Sequence, residues 1–252
     1  MDAAEEKEPE AAEKLLLESI RCDEEALTLH PQFADAHFNW GYALGELSKL
    51  KSGDEATRLF EEARAHYATA HELDPNDWEV YYNLGNLLGD RAEVVEDDGE
   101  ASTLLREAVS EYDAALKLKP GDLDVLTNRA ATLKTLAGRV DDPQPILQQA
   151  REAYSDVWFL SPAVLADWGE VLADLGEDNQ AGGVFLAAEN LEKGSSAYAL
   201  ARLHAKHSDE DAAKKWLLIA RDAGTLPPID DVKDDPDLSS LHDLDWFKDF
   251  TR

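Results

Sequence analysis

Seven histidines and one cysteine carry the readiest chemistry in this sequence, and their spacing limits what that chemistry can be. His204 and His207 stand three apart, which puts both imidazoles on one helix face at a spacing a metal ion accepts, with Asp209 close by. The surrounding HAKHSDEDAA reads better as a helix end followed by Ser208 as the N-cap of the next helix. His30, His37, His66, His71 and His242 have no such neighbour at ligand spacing. Cys22 is the only cysteine, which excludes an intrachain disulfide framework and a cysteine-rich metal site. Its setting, LLLESIRCDEEAL, predicts a small buried thiol rather than a nucleophile. Asp97 and Asp98 in EDDGE lack the spaced oxygens of a calcium loop and read as solvated loop charge. There is no HExxH, P-loop, GxSxG or dinucleotide fingerprint. No enzyme, resident metal or cofactor is expected.

The overall charge narrows the partners. Asp and Glu number 54 against 24 Lys and Arg, a formal charge of −30 in 252 residues, and such a surface repels phosphate backbones. The charge is spread over every segment, which fits a hydrated surface as well as attraction to a basic partner. No apolar run approaches the length of a membrane span, and the acidic opening MDAAEEKEPE is unlike a basic targeting peptide. A soluble protein in a reducing compartment is expected, cytoplasmic, or in an organelle matrix or stroma if a presequence was removed. Residues 1–10 are expected to be disordered.

The elements that would position any site show themselves through repetition. WEVYYNLGNLLG, residues 78–89, has apolar and aromatic residues every three or four positions and a glycine in mid-helix, where glycine costs roughly 1 kcal/mol relative to alanine. Aligning FADAHFNWGYAL, DWEVYYNLGNLL, DLDVLTNRAATL, AVLADWGEVL and SSAYALARLH puts Gly41, Gly85, Ala130, Gly169 and Ala201 in register. A second helix follows each copy. In it a small residue precedes a large one by four and, in all but the third copy, an alanine by seven, as in Ala63, Tyr67 and Ala70. Val157 replaces the alanine in the third copy. Pro75, Pro120 and Pro162 close the first three units, where proline can end a helix.

This pattern resembles the tetratricopeptide repeat (TPR), a helix pair with W-x2-L-G-x2-Y, then A-x3-F-x2-A and P. The copy with Tyr81, Leu84, Gly85 and Leu88, then Ala108, Tyr112, Ala115 and Pro120, matches it best. The resemblance implies an all-α, right-handed superhelical solenoid over residues 11–223. It would hold a lone N-terminal helix with Ala26 and Pro31 in the family positions, five helix pairs, and a capping segment at 224–252. Gly85 would then mark the closest approach of a pair, and Trp246, Phe247 and Phe250 would cover the last exposed face. The insertions SKLKSGDEATRLF, DRAEVVEDDGEASTL and GRVDDPQPI are expected to lengthen the helices of the first three pairs by two or three turns, joined by acidic loops.

The stretch from LLLESIRCDEEA through NLGNLL also resembles the plant mitochondrial presequence receptor, a TPR family anchored by a C-terminal membrane helix. In TPR arrays the first helices of the pairs line a ligand groove. The resemblance carries its sixth position onto Asn39, Asn83, Asn128 and Asp167, where an amide can both donate to and accept from a peptide backbone. The fifth and ninth positions add Phe38, Tyr42, Tyr82, Asn86 and Tyr198, which suit apolar anchors. The second position holds Asp35, Glu79 and Asp124 where carboxylate-binding TPRs carry Lys and Arg, so a carboxylate clamp is not expected. The expected function is a non-catalytic scaffold that docks a protein or peptide, basic or neutral-polar with apolar anchors. A self-assembling structural subunit, with homo-oligomers formed through the insertions and tail, and a receptor for basic amphipathic presequences are the alternatives.

Overall fold

A computed structural model describes residues 7–157, 159 and 161–252. The described residues are helical throughout, without strands, and divide into two compact units at Asp141/Asp142. The first holds α1 (Lys7–Leu29), α2 (Ala34–Lys49), α3 (Gly53–Leu73), α4 (Trp78–Val94), α5 (Asp98–Leu118) and α6 (Leu123–Ala137). The second holds α7 (Gln144–Ser155), α8 (Pro162–Asp174), α9 (Asp178–Leu191), α10 (Ala197–Lys206), α11 (Glu210–Ala223), α12 (Ile229–Asp234), a 3-10 turn (Pro236–Leu241) and α13 (Asp245–Phe250). The lone helix is α1, and α6 and α7 of the third repeat belong to different units. Residues 1–6 of the acidic opening lie outside the described residues, while 7–10 are already helical.

The helices start where acidic and hydroxyl side chains satisfy free amides. Asp77, Asp97, Asp122 and Ser161 accept from the backbone N–H of Glu79, Glu100, Val125 and Val164 at 2.7–3.2 Å. α11 ends at Gly224, whose φ of 74° suits a residue without a Cβ. At the start of α11 the sequence reading needs correction. Ser208 is in the left-handed region at φ 60°, and Asp209 is the cap, accepting from Ala212 N–H at 3.2 Å.

Packing follows the small-residue register. Ala63, Ala70, Ala108, Ala115, Ala181, Ala188, Ala213 and Ala220 are all fully buried, so the second helices press close against their neighbours. A Cβ on Gly85 would stand 2.6 Å from the Tyr112 ring, and one on Gly41 3.2 Å from the Tyr67 ring and the Ala63 carbonyl oxygen. Gly169 meets Phe185 in the same way within the second unit. Gly41, Gly85 and Gly169 are therefore seats for the large ring of the paired helix.

The first two insertions do extend helices. α3 and α5 reach 21 residues each and are joined to α2 and α4 by three-residue turns. The third does not. α6 and α7 have 15 and 12 residues, and 138–143 is a loop, because Gly138 ends one helix and Pro143, with no N–H to donate, stands at the start of the other. Within the second unit the C-terminal segment folds onto α10 and α11. Phe247, Leu238, Leu241 and Val232 are buried with Ala201, Ala205, Ala213 and Leu217, and Trp246 and Phe250 pack beside them.

Candidate peptide-binding groove

A groove of about 540 Å³ runs across α2, α4 and α6 of the first unit. These helices are successive first helices of the repeat, so residues at equal repeat positions stand side by side. Tyr42, Tyr82, Asn83, Asn86 and Asn128 all line it, with Tyr67 and Tyr112 rising from α3 and α5 behind. Five of the residues expected from sequence are thus brought together.

Their polar atoms are partly spent on one another. Asn86 Oδ1 accepts from the Tyr112 hydroxyl at 2.8 Å and from Asn128 Nδ2 at 2.9 Å. Asn128 Nδ2 also reaches the Tyr82 hydroxyl oxygen at 3.2 Å. Asn83 Nδ2 donates to the Glu79 carbonyl within its own helix at 2.9 Å. The network ties α4 to α5 and α6 and fixes which faces of the amides point outward. Burial raises the Tyr112 hydroxyl well above its ordinary pKa, and burial with the nearby Tyr42 and Glu46 does the same to Tyr67.

The remaining expected residues lie elsewhere. Asn39 is exposed and does not line the groove, nor does Phe38, whose ring packs edge-on against Tyr67 at 5.9 Å. Asp167 belongs to the second unit and sits near Tyr154, whose hydroxyl pKa is raised by burial and then by the Asp167 and Glu170 carboxylates. Tyr198 is also in the second unit and donates to Asp235 at 2.7 Å. The residues lining the first-unit groove therefore include neither Asp167 nor Tyr198.

Cys22 is exposed, contrary to the expectation of a buried thiol, while Asp23 beside it is buried and Leu16, Ile20 and Leu27 are half-buried. The two histidines at metal spacing turn to different carboxylates, His204 to Asp209 at 3.2 Å and His207 to Asp178 at 2.9 Å.

One end of the groove was missed from sequence. Glu46, Lys49, Asp90 and Glu93 line it, together with Thr132 and Thr135. Lys49 bridges Glu46 and Asp90, the latter at 3.2 Å. Burial works against its ammonium, but the two carboxylates outweigh that and raise its pKa. Three carboxylates against one ammonium leave this end negative. The signal was available, since Tyr42, Glu46 and Lys49, like Asn86, Asp90 and Glu93, follow the four-then-three spacing of one helix face. The groove therefore offers aromatic walls, ordered amides and a negative end.

Repeated helix pairs, buried small-residue seats and a groove built by successive first helices define a TPR protein, an interaction fold and not an enzyme. Solved TPR structures agree with this in fold. A protein described as YrrB, a TPR protein with an unusual peptide-binding site, superposes with a TM-score of 0.56 at 20% identity, covering 80% of this chain and 91% of that one. PilF of Pseudomonas aeruginosa gives 0.50 at 19% identity over 84% of this chain and 90% of its own. The family model for the plant-specific mitochondrial import receptor subunit TOM20 matches residues 12–137, half of the chain, and the chain belongs to that family. Mitochondrial import receptor subunit TOM20-1 of Arabidopsis thaliana is 33% identical over 82 residues, 32% of this chain and 44% of the receptor, so less than half of that receptor's length is spanned. Among the described residues no helix is long and apolar enough to cross a membrane.

Proposed function

We propose that the protein is a receptor of the import type, which holds basic, apolar-anchored segments of client proteins in the groove of its first unit. The observation that carries this reading is the groove itself: Tyr42 and Tyr82 beside the Asn83, Asn86 and Asn128 amides, closed at one end by Glu46, Asp90 and Glu93. Rings take the apolar side of an amphipathic segment, and the carboxylates take its Lys and Arg. The relative's description as a mitochondrial import receptor supports the client class and a place at the mitochondrial surface.

The test is fluorescence anisotropy with a labelled cationic amphipathic peptide and a scrambled peptide of equal charge. Tyr82→Ala, and separately Asp90→Asn with Glu93→Gln, should each weaken the amphipathic peptide by about tenfold, the scale of one lost anchor at 1.4 kcal/mol. Equal binding of both peptides, or wild-type affinity in both variants, would remove the groove from the function.

A further inference from the structure

Cations are scarce in this chain, yet one of them lies inside the groove. Lys49, the last residue of α2, is the one cation among the described residues that line it, against Glu46, Asp90 and Glu93. The repeat itself does not ask for a cation at this place. Counted from Gly41 and Gly85, which hold equal repeat positions, Glu46 corresponds to Asp90, while Lys49 corresponds to Glu93. Counted from Ala130, the same position of the next repeat is Gly138. Lysine is thus particular to this one position on the wall of the groove.

Its ammonium is held by carboxylates on two helices. Nζ binds Glu46 on α2 itself and Asp90 of α4 at 3.2 Å, so two acids at equal positions on neighbouring first helices share one cation. Burial works against the charge, and the two carboxylates outweigh it and raise the Lys49 pKa. The arrangement can nevertheless exchange. The Lys49 side chain is 43% exposed and that of Asp90 45%, and ion pairs that water reaches to this extent are weak. Lys49 also borders a neighbouring hollow of about 460 Å³ lined by Ser48, Ser52 and Val94, which gives its flexible stem room outside the groove.

We propose that Lys49 is a tethered competitor for the client's own cation: in the free protein its ammonium fills the Glu46–Asp90 pair, and a Lys or Arg of a bound segment takes that pair by displacing it. This rests on the receptor reading above and adds what sets the affinity of the groove. One ion pair is lost for each one gained there, so charge alone contributes little, and tight binding has to come from apolar contact with Tyr42 and Tyr82. A protein with a formal charge of −30 attracts every polycation at long range. An internal lysine at the point of contact lowers the affinity of those that bring no apolar side.

The test is anisotropy on the full chain with the labelled cationic amphipathic peptide, comparing the wild type with Lys49→Met, Lys49→Arg, Lys233→Met and Tyr82→Ala. At low salt Lys49→Met should tighten binding about fivefold, the scale of one solvent-reached ion pair, and the gain should fade as salt is raised. Lys49→Arg keeps a cation in place and should bind as the wild type does. So should Lys233→Met, which removes the same charge from the second unit. In the wild-type protein, NMR titration of the Lys49 side chain should show its pKa falling when the peptide saturates the groove, because the ammonium has lost both carboxylates. Binding that is unchanged or weaker in Lys49→Met, while Tyr82→Ala still loses affinity, would make Lys49 a mere tie between α2 and α4 and overturn the proposal. An equal gain in Lys233→Met would reduce it to net charge, and a Lys49 titration unmoved by bound peptide would show that no displacement occurs. Wild-type affinity in Tyr82→Ala would instead overturn the receptor reading itself, and this inference with it.

Discussion

Two glycines four residues apart in α4 make opposite predictions. Gly85 is filled by the Tyr112 ring, so Gly85→Ala should destabilise the protein by about 1–3 kcal/mol through overpacking. Gly89 has nothing within 4 Å of its would-be Cβ, so Gly89→Ala should be neutral or stabilise by up to about 1 kcal/mol from helix propensity. Urea unfolding of both variants checks the pair, and equal effects would refute the seat. Asn86 is the shared acceptor of Tyr112 and Asn128, so Asn86→Ala should cost about 1–3 kcal/mol by removing that acceptor from the buried pair. His66 is the residue for acid. Its Nδ1 lies 3.1 Å from that of His37, and burial first and His37 second lower its pKa below the ordinary 6.5. The folded state then binds fewer protons than the unfolded state. Its contribution to stability is present above pH 6.5 and is lost as pH falls from there through the lowered folded value. His66→Phe should therefore show a shallower fall in unfolding free energy than the wild type as pH is lowered from 7 through that window.

At the scale of elements, the C-terminal segment is held by both apolar and ionic contacts. Phe247 is 3% exposed among Ala213, Leu217 and Leu241, and Arg202 binds Asp235 at 3.1 Å and Asp237 at 2.5 Å. Phe247→Ala should destabilise the second unit by about 3–5 kcal/mol, the cost of truncating a buried phenylalanine. Hydrogen exchange should then accelerate in α10 and α11, whereas unchanged protection there would mean that the segment is not a cap.

For the whole molecule, charge dominates. With −30 in 252 residues, self-repulsion opposes the compact state and is screened by salt, while attraction to a cationic segment is screened by the same salt. Raising sodium chloride from about 20 mM to about 300 mM, which shortens the screening length several-fold, should raise the melting temperature and lower affinity for the cationic peptide. Calorimetry and anisotropy on one sample series check both signs, and affinity that is insensitive to salt would argue against the carboxylate end of the groove.

The sequence by itself determined the helix pairs, their register and the reason for Gly85, since each depends on local periodicity and on a repeat that can be compared with itself. It also placed Tyr42, Tyr82, Asn83, Asn86 and Asn128 on one face, because repeat position fixes orientation. Where the ladder stops, which amides are tied up by Tyr112, and which carboxylates close the groove depend on distances between helices far apart in the chain. The exposure of Cys22 was decided in the same way. Apolar periodicity shows that a helix has a face to bury, but only the tertiary structure shows which of its residues are buried, and on α1 it leaves Leu15, Cys22 and Leu29 exposed.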